Sequence, residues 1–409
     1  MKIRLLTAIL FSALCSLSAQ FTIDTSYTSE QLIKSFFNAD NKEIQIDNIT
    51  YLGEKYAVGA FMSQTEFTPF LRSGIVLSSG NVFNACGPNN YDGIGSDNAL
   101  KGFNKLESLA NGKSFDPAIL EFDFIAFTDS VNFSYVFASE EYPEYVGKGV
   151  NDVFAFWIKD YKTGSERNTA LLPNSKKPVN VDEINHLINS EHYYDNNNQI
   201  NIPGKGRLNY REKEMQMLFQ FDGFTGRLKT GMLIKPFRKY HFTIAISDIG
   251  DAVYDSWVML EAKSFKSNGR FAKPDFKDLT KYIAKNIPEL KPMQNSEDST
   301  VMDVESIINF KLNSSEISQE SLRVLDQLAW LLKRTTYTIC INGYADDIGT
   351  QEYNLDLSQK RAEVIANYFA GKGLDPERLT AIGKGEIALK DGEKETFRAQ
   401  NRKVVFVLN

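Results

Sequence analysis

A change of hydrophobic period divides this chain. From Phe21 to about Phe265 apolar residues recur at every second position or run unbroken, in segments such as "AILEFDFIAF", "SVNFSYVFAS", "DVFAFWIKD", "HFTIAISDI" and "DSWVMLEAKSF". A strand turns successive side chains to opposite faces. A period of two therefore marks a half-buried strand, and an unbroken apolar run marks one covered on both faces. Gly, Asn and Asp clusters separate the segments, as at the end of "GIVLSSGNV", and supply turns. One brief helix, "SEQLIKSFF", opens the region. Short strands in series, without helices between them, predict an antiparallel β-sandwich over residues 21–265. The 29 Phe and 18 Tyr agree with it, because aromatic side chains suit a pleated surface.

After Lys266 the pattern is lost. Residues 266–303 are polar and Lys-rich, with Pro274, Pro288 and Pro292, and read as a linker carrying one helical stretch near Leu279 to Asn286. From residue 304 to 409 strand and helix periods alternate. "SIINF" and "TYTICINGYA" read as strands, and "SQESLRVLDQLAWLLKR" as a helix with Ser318 as its cap. A second helix falls within "GYADDIGTQEYNLDLSQKRAEVIANYF" and ends at Gly371 and Gly373. "PERLTAIGKG" and "RKVVFVLN" supply the last strands. The fold class is thus multidomain: an N-terminal all-β sandwich followed by a C-terminal α+β domain.

The first 19 residues carry a basic start (Lys2, Arg4), an apolar run from Leu5 to Leu17, and a small-residue site at Ser18-Ala19-Gln20. That is the order of a secretory signal peptide, and the run is too short for a membrane span. Cys15 does not make it a lipoprotein signal, since the preceding Leu14 is bulky. The expected location is exported, in the periplasm or the outer-membrane-associated envelope. Beyond Cys15 only Cys86 and Cys340 remain, too few for a disulfide framework, and both read as small buried hydrophobes. His186, His192 and His241 have no zinc-ligand spacing. A net charge of −6 argues against a nucleic-acid partner.

On a helical wheel centred on Leu357, Val364, Ile365 and Tyr368 fall on or beside the apolar stripe. Asn354 and Arg361 fall on it too. A guanidinium on a core-facing line requires a partner. Asp346, fifteen residues earlier, is one candidate, as an internal ion pair that orders the turn. A ligand carboxylate is the other.

The separated motifs "GYADDIG", "NLDLSQKRAEVI", "GKGE" and "RAQNRKVVF" resemble the OmpA-like peptidoglycan-binding family, over the whole of the last domain. The resemblance implies non-covalent capture of the diaminopimelate residue of a peptidoglycan stem peptide. Its two signature ligands correspond to Asp346 and Arg361. A carboxylate suits the ligand ammonium, and a guanidinium fork suits its carboxylate. Asn354 and the loop amides from Asp347 to Gly349 stand ready to add hydrogen bonds. The chain departs from the family at Ala345, where a Thr is usual, and at Lys403, where a second Arg is usual. Arg398 and Arg402 remain beside it.

The segments "SGIVLSSGNV", "VNFSYVFASEEYPEYVGKGVNDVFAFWI", "HYYDNNN", "FDGFTGRL" and "ISDIGDAVYDSWVMLEAKSF" resemble the choice-of-anchor L domain over nearly all of residues 21–265. That resemblance implies a secreted module attached to one of several surface anchors, and no settled activity. Two loops of this region are dense in oxygen ligands. One holds Glu140, Glu141 and Glu144 followed by Asn151 and Asp152; the other holds Asp248, Asp251 and Asp255. Calcium takes six to eight oxygens from such loops. Solvated acids and turn-capping Asp are the alternative. Glu140, Glu141, Asp152, Asp248, Asp251 and Asp255 are the candidate calcium ligands. Adjacent residues of a strand face opposite ways, so Glu140 and Glu141 do not form a glycosidase pair. No hydrolase elbow, phosphate loop or dinucleotide fingerprint appears.

The leading expectation is a non-enzymatic envelope protein. In it a sandwich with an adhesion or scaffold role, able to meet outer-membrane or surface proteins, is tethered to peptidoglycan. A wall-localised hydrolase with a catalytic sandwich, and a structural subunit of an envelope machine, are the alternatives.

Overall fold

The computed structural model describes residues 21–37, 43–64, 70–91, 93–110, 112–149, 152–196, 217–250, 253–294, 302–306, 308, 310–388 and 395–409. It divides into two compact units. The first comprises the chain up to Ile125, Ser130–Leu233 and Lys239–Asn268. The second comprises Ala126–Asp129, Ile234–Arg238 and Gly269–Asn409.

In the first unit, with strands numbered along the chain, one sheet runs in the spatial order β1 (Phe21–Asp24), β3 (Val58–Ser63), β4 (Ser73–Ser78), β13 (Ser256–Glu261), β6 (Ser130–Ser139), β10 (Gly223–Thr225), β9 (Tyr193–Asp195). β11 (Leu228–Leu233) and β14 (Lys266–Ser267) also pair with β6. The other sheet runs β2 (Ile44–Leu52), β5 (Ser114–Ala126), β12 (Lys239–Ile249), β7 (Val153–Asp160), β8 (Glu166–Asn168). β1 with β3 and β13 with β6 in the first sheet, and β12 with β5 and β7 in the second, pair antiparallel.

Alternation along each strand decides what faces what. Phe133, Tyr135 and Phe137 of β6 meet Phe154 and Phe156 of β7 and Phe242 of β12 at ring-centroid distances of 4.9–5.7 Å, which is one sheet laid on the other. The intervening residues are apolar as well. Val136 and Ala138 of β6, with Trp257 and Met259 of β13, join a second cluster under Phe70, Phe219, Phe221 and Phe224. Val153, Ala155 and Trp157 of β7 pack with Leu106, on the helix α2 (Asn104–Ala110). Covering on both faces explains why these strands read as unbroken apolar runs. Helix α1 (Ser29–Phe36) is held by a capping box between Thr28 and Gln31, and buries Leu32, Ile33 and Phe36.

At the start of the second unit the helix expected near Leu279 to Asn286 stands as α3 (Phe276–Asn286), capped by Asp275, and the stretch read as linker also carries a strand, β15 (Leu290–Gln294). The sheet order is β15, β16 (Met302–Ser306), β19 (Val404–Leu408), β17 (Ile339–Ala345), β18 (Leu379–Glu386). Among the described residues β17 and β18 pair in parallel, and the other neighbours of this sheet pair antiparallel. The strand expected at "SIINF" lies earlier, at β16. Helix α4 (Gln319–Leu332) is capped by Ser318, whose Oγ accepts from the Ser321 amide at 3.2 Å. Helix α5 (Gln351–Gly371) is capped by Thr350, and α6 (Glu395–Asn401) precedes β19.

Phe265 stands among the rings of Phe36, Phe37, Phe122, Phe124, Phe133 and Phe242, all within 6 Å centroid to centroid. Truncating such a ring leaves a cavity that the surrounding aromatics cannot close. Phe265→Ala is expected to destabilise the first unit by about 3–5 kcal/mol, read from urea unfolding. A loss below about 1 kcal/mol would show that this ring is not part of its core.

Candidate functional site

Helix α5 sits against β17 and β18 because two glycines let it. A Cβ on Gly343 would meet the Ser358 carbonyl oxygen at 2.1 Å, and one on Gly383 would meet the Gln359 nitrogen at 2.7 Å. The Ser358 hydroxyl accepts from the Gly385 amide at 2.9 Å. This seating buries Asn354, Leu357, Ser358, Arg361, Ala362, Ile365 and Phe369, while Val364 and Tyr368 are half-buried. The stripe is thus rotated slightly from its expected centre, and Arg361 is wholly inside it, at 0% exposure.

Arg361 does not pair with Asp346. Its Nε donates to the Ser314 carbonyl at 2.9 Å, one terminal nitrogen to the Tyr344 carbonyl at 2.9 Å, and the other to the Lys311 carbonyl at 3.2 Å. Its plane lies 5.1 Å from the Phe310 ring centroid. Burial lowers its pKa to about 10, against the pull of the nearby Asp346. The guanidinium therefore stays charged at neutral pH, in a cradle of main-chain oxygen. Asp346 is buried too, and its partner is Arg402, which donates at 2.7 Å while its Nε holds the Phe310 carbonyl. The second Asp346 oxygen has a long contact of 3.4 Å from the Ile348 amide. Asp347 pairs with Arg398 at 2.6 Å. The Asn354 amide donates to Glu386 at 2.7 Å, whereas its buried carbonyl oxygen has no hydrogen-bond partner. That oxygen lies 3.3 Å from where a Cβ of Gly349 would stand, and Gly349 has a φ of +115° that favours glycine. Asp346, Asp347, Gly349, Asn354 and Arg361 thus gather around one loop. Sequence reasoning set Arg398 and Arg402 aside, and they prove to be the acids' partners.

The described candidate calcium ligands of the first unit are not solvated. Glu140, Glu141, Asp152, Asp248 and Asp255 are all buried, together with Asp116 and Asp222. Asp251 and Asn151 lie outside the described residues. Asp255 is occupied by the Asn81 and Ser96 amides and the Asn84 side chain at 2.9–3.0 Å, and Gly80 leaves the room it needs. Burial still raises its pKa to about 6. One Glu141 oxygen accepts from the Asp152 amide at 3.1 Å. Glu140 follows the end of β6 and stands apart, with Asp222 as its charged neighbour. Burial and then that neighbour raise its pKa to about 9, so it is a neutral acid at pH 7. Glu140 and Glu141 therefore have separate surroundings, although in a turn and not in a strand as expected. Asp152 and Asp248 do meet. Burial first, and charge repulsion second for Asp152, raise both well above the usual carboxylate range. Among the described residues no three His, Cys, Asp or Glu side chains form a group able to hold a metal ion. Cys86 and Cys340 are free and half-buried, more open than expected.

A further polar cluster went unread in the sequence. Asp123 of β5 receives Lys239 at 2.7 Å, Asn48 at 2.7 Å, His241 at 2.8 Å and the Tyr161 hydroxyl at 2.9 Å. Burial alone would raise its pKa, but these donors outweigh burial and lower it. His241 is raised, first by Glu121 and then, past the cost of burial, by Asp123. The polar positions of "EFDF" and "HFTI", on neighbouring strands, were the available signal.

Together these features define a two-part protein, an antiparallel sandwich followed by an α+β unit built around a buried arginine and a paired aspartate. The chain belongs to the choice-of-anchor L domain family, whose model matches residues 21–266, and its C-terminal part to the OmpA family, matched over residues 309–402. It is 39% identical over 119 residues to a peptidoglycan-associated lipoprotein of Brucella melitensis, covering 28% of this chain and 69% of that one. Against outer membrane protein A of Bordetella avium it is 35% identical over 97 residues, covering 23% of this chain and 50% of that one. Among solved structures it is similar to the peptidoglycan-associated lipoprotein from Burkholderia pseudomallei, at 32% identity and a TM-score of 0.24, covering 25% of this chain and 88% of that one. Among the described residues no helix is long and apolar enough to cross a membrane.

Two outcomes follow. Arg361→Lys cannot reach three carbonyls with one ammonium, and each carbonyl stranded without a donor costs about 1–3 kcal/mol. The second unit should lose at least that much stability in urea, and an unchanged midpoint would refute the carbonyl cradle. For His241 the raised folded value means that its contribution is fully present below about pH 6.5 and is lost as pH rises through the higher folded value. The difference in melting temperature between the parent and His241→Gln should shrink across that window. A pH-independent difference would deny His241 its carboxylate partners.

Proposed function

We propose that this chain is an exported, non-enzymatic cell-envelope protein. Its C-terminal unit binds diaminopimelate-containing peptidoglycan at the loop from Asp346 to Gly349, and its N-terminal sandwich is the adhesion or scaffold module tethered by it. The names of the relatives point the same way, as does their similarity over this unit. The observation that carries the reading is the Asn354 carbonyl oxygen, buried without a donor beside Gly349. A free acceptor at such a position calls for a donor from outside. An ammonium brings three, and the second Asp346 oxygen, with only its long amide contact, has capacity for another. The carboxylate at the same end of diaminopimelate then falls to the loop amides and to the Arg361 N–H groups that the three carbonyls leave over. The exported location rests on the signal-peptide pattern of residues 1–19.

The test is co-sedimentation of the full chain with purified peptidoglycan sacculi. Asp346→Asn keeps the shape of the side chain but removes its charge, and should weaken binding about tenfold or more. Asn354→Ala should weaken it less. Sacculi whose stem peptides carry lysine in place of diaminopimelate lack the second carboxylate and should bind poorly. If Asp346→Asn melts like the parent and still co-sediments with it, this loop is not the recognition site.

A further inference from the structure

The end of the sandwich where β7 begins and β12 and β13 meet their loops holds more buried oxygen than the protein itself can satisfy. Asp152 is 2% exposed and Asp248 is 1% exposed. One Asp152 oxygen accepts from the Ile249 amide at 3.2 Å; the other has no hydrogen-bond partner. Neither oxygen of Asp248 has one, and the Ser256 hydroxyl beside Asp152 also has none. The Ser79 hydroxyl lies near Asp248 and accepts from the Ser256 amide at 2.9 Å. Neither Asp152 nor Asp248 has a Lys, Arg or His ion-pair partner among the described residues. The nearest charges are further acids, Asp255 and Asp116. By contrast, buried Asp123 has four donors and Arg361 three acceptors. Four unpartnered oxygens with no cation among them are an exception that a native interior rarely keeps.

We propose that Asp152 and Asp248 bind a hard divalent cation, calcium or magnesium, with the Ser256 hydroxyl as an additional oxygen and water completing the shell. All the ligand atoms are oxygen, which suits these ions and not zinc or copper. Two carboxylates with water is an accepted donor set for a hard ion, and their two charges balance that of the ion. The site uses two of the six acids that the sequence singled out. Asp255 is already engaged and Glu140 lies elsewhere.

The experiment is calorimetric melting of the full chain after chelation, with calcium, magnesium or neither added back, alongside metal analysis of the untreated protein. A hundredfold excess of ion over its Kd should raise the first unit's transition by about 5–10 °C. Asp248→Asn and Asp152→Asn should lose that shift while leaving the second unit's transition in place. If neither ion moves the parent and Asp248→Asn melts higher than the parent in chelator, the two carboxyls share a proton and the proposal is overturned. The parent alone decides the matter should a variant fail to fold, because an ion-independent melt with no bound metal also overturns it. Peptidoglycan sedimentation is unaffected by either result, so this site and the C-terminal one fail separately.

Discussion

Taking charge out of water is the constraint around which both units are organised. An ion buried without partners costs several kcal/mol, so each buried charge here dictates the chain around it. Arg361 shows this most fully. Its three acceptors come from residues 311, 314 and 344, on either side of α4, so a single side chain pins the loop before that helix to the end of β17. Because carbonyls and not a carboxylate fill the cradle, Asp346 is released to Arg402, and Arg402 in turn fixes the Phe310 carbonyl. The loop is thereby tied from both sides.

Backbone proximity makes this arrangement possible. The guanidinium reaches β17 because α5 approaches the sheet closely at Gly343 and Gly383. A side chain at either position would lift the helix, and the donor distances of 2.9–3.2 Å would open together. The first unit uses the same device at Gly80, where the missing side chain admits the Asp255 carboxylate to the two amides and the Asn84 side chain that hold it.

Much of the fold was legible in the sequence because hydrophobic periodicity is local. β6 ends where "SVNFSYVFAS" ends, and the Ser318 cap stands where its helix begins. What stayed hidden depends on residues far apart in the chain. Asp255 is held by Asn81, Asn84 and Ser96, some 160 to 175 positions away, and no spacing rule links them. The acceptors of Arg361 are main-chain oxygens, which have no residue identity to read. Pro292 misled for another reason. It was taken as a mark of a linker, yet it sits in β15 at the edge of the sheet, where a missing N–H is tolerated. The sequence leaves the acids of the sandwich open between calcium ligands and solvated loop residues, since polarity in a sequence carries no sign of depth.

The depth of Arg361 also bears on the peptidoglycan reading proposed for the C-terminal unit. A guanidinium with no exposed surface and three occupied N–H directions cannot act as a long-range lure for an anion. In the proposed complex a ligand carboxylate meets only the N–H groups that the three carbonyls leave over. On the proposed reading, discrimination begins at the acceptors, Asp346 and Asn354, where an ammonium would replace nothing and would satisfy an oxygen that is unpaired. On that reading a carboxylate at the arginine is a stronger acceptor than the carbonyls around it, so the ammonium and the carboxylate both contribute. The buried arginine then acts as a check on ligand shape, while the aspartate and the unpaired amide beside it receive the ammonium.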